Sequence, residues 1–273
     1  MDIDKRLYQQ LESKEKEPFV SKRVVVKIGS STITGGGENL DIDFMSSIAA
    51  QISTLYKKGV AVHIVTSGAV ACGKQYISRY DGSIVSKQIA AAMGQPILIE
   101  EWKRQFNAHG INIYQLLLTE HNLEYARTIL SQMTDGIPII NANDPVNSFE
   151  MQQFLVSADN DRLAGHVASA IEADTAFLLT DVTGVRNRHG QTIQIIDPTI
   201  NYTEDITFHG KSTVGTGGME SKHLVAMALA DRGIRAIIGN GRENEILLNG
   251  ARGQLVGTTY LPREQIHDPS YDA

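Results

Sequence analysis

The chain has 273 residues, 42% of them hydrophobic, with 25 Lys and Arg against 31 Asp and Glu. That length leaves room for one large or two small domains with a sizeable core, and the composition is that of a globular protein rather than a disordered chain or repeat array. A formal charge of −6 and a single cysteine argue against a broadly basic surface for nucleic acid or anionic membrane, and exclude an intramolecular disulfide or a cysteine-rich zinc site.

In chain order, residues 1–22 read as a polar helical extension, with Leu7 and Leu11 at helical spacing. The start, MDIDKRLYQQ, is charged, unlike a signal peptide, and no apolar run approaches the ~20 residues of a membrane span. A cytoplasmic protein with neither nucleic acid nor membrane as partner is expected. Val24–Ile28 (VVVKI) is continuously apolar apart from one lysine, the pattern of a strand buried on both faces. A helix over Asp41–Lys58 follows, with Phe44, Ile48, Ile52 and Leu55 on one stripe and Gly59 as its stop.

The alternation then repeats. Strands are predicted at Ala61–Thr66, Ile111–Leu118, Ile137–Asn141, Thr175–Thr180 and Ile234–Gly239. Helices are predicted at Gly68–Arg79, Glu120–Met133, Asp161–Glu172 and Met219–Arg232, with one long or broken helix over Ile84–Asn107 around Gly94-Gln95-Pro96. Strands separated by helices imply right-handed crossovers and a mostly parallel sheet covered on both faces. A single α/β domain is expected over residues 23–264, followed by a polar tail at 265–273.

Chemistry concentrates where glycines follow strands or open helices: Gly29-Ser30-Ser31, Gly68, and Gly215-Thr216-Gly217-Gly218. Backbone N–H groups can approach an anion closely there. Two clusters come with a lysine. Lys27 interrupts an apolar strand, where an ammonium needs a counter-charge or ligand, and Lys222 follows Gly218 by four residues. Gly68 to Gln75 (GAVACGKQ) nearly fits a phosphate-binding P-loop, but Gln75 removes the hydroxyl that would hold magnesium. Asn141-Ala142-Asn143-Asp144 closes a strand, and Asp159-Asn160-Asp161 opens a helix. Thr180-Asp181-Val182-Thr183-Gly184 adds a polar turn, and the histidines are scattered without metal spacing; His166, five residues past Asp161, is the one placed near these groups.

Taken in order, VVVKIGSSTITGG, VTSGAVACG, KQIAAAMGQ, IPIINAND, ADNDRLAGHVA, FLLTDVTGV and GTGGMESKHLVA resemble the amino-acid kinase family, in particular its glutamate-phosphorylating branch. The resemblance implies a three-layer α/β/α sandwich with a mostly parallel central sheet, its substrate region in the amino-terminal half and its ATP region in the carboxy-terminal half. It implies transfer of the ATP γ-phosphoryl group, with Mg²⁺ on the nucleotide, to the side-chain carboxylate of L-glutamate, the first step toward proline. By the same resemblance Lys27 and Lys222 contact the phosphates and Asp161 orients them, while Ser67, Gly68, Ala69, Asp144 and Asn160 bind substrate. Lys27, Gly29, Ser30, Thr180, Asp181, Gly184, Thr216, Gly217, Gly218, Met219 and Lys222 correspond to ATP-binding positions, and no protein metal site is implied. A homo-oligomer and a glutamyl-phosphate reductase as partner are further implications.

Two departures bear on the acceptor. Ala142 stands where the family usually carries Glu, and Thr119–Gly136 is several residues shorter than usual. The PUA module that the resemblance would give as a second domain is not expected after Thr258–Pro262, which only a short polar stretch follows. Another small acid as acceptor, or a non-catalytic ligand-binding protein on the same fold, are the alternatives that the residues leave open.

Overall fold

The computed structural model describes residues 19–119, 122–132, 134–146, 160–200, 202, 205–206, 208 and 218–263. Of the expected amino-terminal helix at 1–22, residues 1–18 lie outside the described residues, as do the tail at 265–273, Asp159, Thr216 and Gly217. Residues 19–22 are not helical, because the Val20 and Ser21 N–H groups donate to the Ala251 carbonyl at 2.9 and 3.1 Å as the chain enters the sheet.

Eight strands form one sheet, in the order β3-β4-β2-β1-β5-β7-β8-β6. They are β1 (Arg23–Ile28), β2 (Ala61–Thr66), β3 (Ile113–Leu118), β4 (Ile137–Ala142), β5 (Thr175–Thr180), β6 (Ile195–Ile196), β7 (Arg235–Asn240) and β8 (Thr258–Tyr260). Every pairing is parallel except β7 with β8. The carboxyl ends of β1, β2, β4 and β5 therefore open on one edge, where ligands bind in open α/β sheets.

Helices cover both faces: α1 (Ser30–Thr34), α2 (Ile42–Lys57), α3 (Ala69–Lys74), α4 (Ile84–Asn107), α5 (Leu123–Gln132), α6 (Asn160–Ala170), α7 (Met219–Ala230) and α8 (Ile246–Ala251). Two separate cores result. Val24, Val26 and Ile28 of β1 pack with Phe44, Ile48 and Ile52 of α2 and Leu98 and Trp102 of α4. Val25 of the same strand packs with Ala164 and Val167 of α6 and Ala226 and Leu229 of α7. Side chains alternate across a strand, so Lys27 shares the face of Val25, toward α6 and α7. These layers are the three-layer α/β/α sandwich expected.

The longer elements follow their apolar patterns. The α2 stripe of Phe44, Ile48, Ile52 and Leu55 is fully buried, and Asp41 caps its start by accepting from the Phe44 N–H at 3.0 Å. Residues 84–107 form one helix, with Pro96 inside it. The helix expected over 68–79 stops at Lys74, because the Gln75 side-chain amide turns back to donate to the Cys72 carbonyl at 3.1 Å and caps the last turn. The glycine-lysine pair of the near P-loop therefore lies in a helix. At α5, whose described start is Leu123 rather than Glu120, Asn122 accepts the Thr119 N–H at 2.7 Å. The elements α1, α8, β6 and β8, with six residues at most, have no counterpart in the sequence reading.

Candidate active site

Lys27 sits one residue before the carboxyl end of β1, between Val65 of β2 and Leu178 of β5. It is 3% exposed, and its ammonium lies 2.6 Å from Asp161 Oδ1. Lys222, in the first turn of α7, places its ammonium 3.0 Å from Asp161 Oδ2. Asp161 has no exposed surface, so one buried carboxylate in the first turn of α6 holds two lysines, one per oxygen. The helix start favours that carboxylate through its dipole. Gly29 keeps the space beside the first ammonium open: a Cβ there would stand 3.4 Å from Lys27 Nζ. Gly29 is also the extended cap residue of α1, whose first residue is Ser30.

A second polar cluster lies alongside, on the β2 and β4 side. Asn160, adjacent to Asp161, shares its two Nδ2 hydrogens among three acceptors, Ser67 Oγ, the Thr66 carbonyl at 3.3 Å and Asn141 Oδ1 at 3.2 Å. Asn141 Oδ1 also accepts from the Ala142 N–H at 2.9 Å, and its Nδ2 donates to Gln95 Oε1 at 2.9 Å. Gly68 caps α3 with φ +110°, ψ −7°, a conformation that favours glycine, and Ala69 is buried behind it. Asp144 follows β4 in a turn, half-buried, where desolvation pushes its carboxyl up to about 6.

On the other side of β1 lie the residues assigned to nucleotide. Thr180 ends β5 and donates to Asp181 at 3.1 Å. Gly218 is the extended cap residue of α7, of which Met219 is the first residue. Gly184 has a packing reason: a Cβ there would meet Thr258 Oγ1 of β8 at 2.5 Å. His166 is exposed on α6.

The described structure thus brings Lys27, Gly29, Asp161 and Lys222 into one cluster and Ser67 and Asn160 into the neighbouring one. It adds Asn141 and Gln95, which the sequence reading did not assign. In the sequence Asn141 opens the polar stretch that closes a strand, and Gln95 belongs to the Gly94-Gln95-Pro96 stretch of one long or broken helix. Among the described residues, no three His, Cys, Asp or Glu side chains gather to hold a metal, and no helix is long and apolar enough to cross a membrane.

A parallel sheet that gathers two lysines on one aspartate at its carboxyl edge defines an anion-handling site of the phosphoryl-transfer kind. Residues 22–240 match the model of the amino acid kinase family, and the chain belongs to that family of phosphotransferases. It is similar to the glutamate 5-kinase of Haemophilus influenzae (strain PittGG), at 34% identity over 259 residues, 89% of this chain and 69% of that one. The glutamate 5-kinase of Burkholderia thailandensis is 38% identical over 260 residues, 89% of this chain and 68% of its own. That of Caldanaerobacter subterraneus subsp. tengcongensis is 35% identical over 256 residues, 88% and 68% respectively.

Proposed function

We propose that the chain transfers the γ-phosphoryl group of ATP to the side-chain carboxylate of L-glutamate, giving L-glutamyl 5-phosphate for proline synthesis. The observation that carries this reading is the pair of lysines held on the two oxygens of Asp161, beside the Ser67–Asn160 cluster. Phosphoryl transfer is mainly positioning and charge stabilisation along an in-line path, which two fixed cations supply.

Lys27 and Lys222 contact the transferred phosphate, and Asp161 positions both. No general base is needed, because a glutamate side chain with a pKa near ~4.3 is already a carboxylate at neutral pH. Ser67, Gly68, Ala69, Asn160 and Asp144 form the acceptor site, with Asp144 facing the substrate ammonium. Gly29, Ser30, Thr180, Asp181, Gly184 and Thr216–Met219 border the nucleotide. Asp161 is engaged by two lysines, so the chain would leave Mg²⁺ to the nucleotide, where the ion would offset phosphate charge.

The same reading makes residues 23–264 one kinase domain between a polar extension and a tail, in a cytoplasmic homo-oligomer that can hand its labile acyl phosphate to a glutamyl-phosphate reductase. An ADP-release assay with hydroxylamine trapping across a panel of acids tests it. Hydroxamate formed with glutamate is the expected outcome. Turnover only with another acid, or ATP binding without turnover, overturns it.

A further inference from the structure

The hydrogen bonds beside the lysine pair run in one direction, and two backbone groups set that direction. A backbone N–H only donates and a backbone carbonyl only accepts. The Ala142 N–H therefore fixes which end of the Asn141 amide is oxygen, and the Thr66 carbonyl fixes which end of Asn160 is nitrogen. Asn160 then donates to Asn141 Oδ1 and to Ser67 Oγ. At the far end Asn141 Nδ2 donates to Gln95 Oε1 at 2.9 Å. The Ser67 oxygen is thereby an acceptor for Asn160, which aims its own O–H away from Asn160 as a donor.

Gln95 is 6% exposed, and its Nε2 has no hydrogen-bond partner among the described residues. A buried N–H without an acceptor costs stability, so packing alone does not account for an amide here. Its oxygen does: it holds Asn141 Nδ2, so that the Asn141 amide neither swings nor flips. The crossing of α3 and α4 seats it, because Gly94, the residue before it, lies against the α3 backbone at Ala69 and Gly73.

We propose that Gln95 is a positioning residue of the acceptor site, terminating the chain Gln95–Asn141–Asn160–Ser67 so that the Ser67 hydroxyl is presented to the acceptor carboxylate as a donor. The proposal rests on the glutamate reading above. It also gives the Ala142 position a meaning: the contact used is backbone, so the loss of a glutamate side chain leaves it in place.

Steady-state kinetics of Gln95→Met and Gln95→Glu, each in wild-type and Ser67→Ala backgrounds, test it. Gln95→Met removes the acceptor and is expected to raise the glutamate KM about 10-fold while moving the ATP KM less than about 2-fold. Gln95→Glu keeps an oxygen for Asn141 and is expected to recover most of that loss. In the Ser67→Ala background Gln95→Met should add less than about 2-fold, since the two act through one hydroxyl. Equal shifts in both KM values, additive losses, or no recovery by Gln95→Glu overturn the proposal. If the wild type does not turn over glutamate, the functional reading fails, and side-chain amide hydrogen exchange in ¹⁵N spectra then decides. Exchange of the Asn160 NH₂ is expected to quicken about 10-fold in Gln95→Met and not in Gln95→Glu; unchanged exchange overturns the proposal. If Gln95→Met does not fold, Gln95→Leu, which also lacks the acceptor oxygen, replaces it in both measurements with the same expected and overturning outcomes.

Discussion

Asp161 is the residue on which the site turns. Removing one partner from a buried ion pair strands the other charge, at a cost of about 3–5 kcal/mol; here one carboxylate serves two ammonium groups. Asp161→Asn should therefore lose stability as well as turnover. Lys222→Ala separates the two effects, because Lys27 and Asp161 remain paired. Its kcat should fall about 1,000-fold, with the circular dichroism spectrum retained; near-normal kcat would refute the role of Lys222. Asp144 carries the pH dependence. Its carboxyl, raised to about 6 by burial, is protonated in the folded chain at pH values where the unfolded chain has lost the proton. Between pH 4 and 6 the native state binds more protons, so this group's contribution to stability falls as pH rises. Asp144→Asn should therefore stabilise the ligand-free protein by about 1–2 kcal/mol above pH 6, and by nothing below pH 4, as read from denaturant titrations. The wild-type glutamate KM should rise as pH falls through about 6, and a flat profile would remove Asp144 from the ammonium site.

At the scale of elements, the contact between α3 and α4 sets the floor of the acceptor site. A Cβ on Gly73 or on Gly94 would collide with backbone of the opposite helix. Gly94→Ala should cost about 3 kcal/mol, as overpacking does; a melting temperature equal to wild type would show that the helices can part freely. The glycines and the strands differ in how far the sequence exposes them. Val24–Ile28 and Ala61–Thr66 are legible because a strand buried on both faces writes itself as a continuous β-branched run. The lysine pair was legible because Lys27 breaks such a run. Gln95, Asn141 and the Gly73–Gly94 crossing were not, because each depends on a partner 16 or more residues away, which no local period encodes. The short elements α1, α8 and β8 follow caps and neighbouring strands, and α1 in particular buries Thr32, Ile33 and Thr34 out of a polar-looking stretch.

For the whole molecule, the sheet divides between β1 and β5. The strands β3, β4, β2 and β1 come from residues 23–142 and β5, β7, β8 and β6 from residues 175–260, joined where Val24 meets Thr175. Asp174 reinforces that join, since its carboxylate accepts the Lys22 and Arg23 N–H groups at 2.9–3.2 Å. Lys27 lies on one side of the seam, and Asp161 and Lys222 on elements that follow the first four strands in the chain.

This seam has a consequence for the order of events in refolding. Pairings between distant stretches of chain are slow, because loop closure must precede the contacts that reward it. Each half can regain its helices and strands while the two lysines are still far apart. Far-UV circular dichroism should thus recover ahead of enzymatic activity after dilution from denaturant, and coincident recovery of the two signals would contradict assembly in that order.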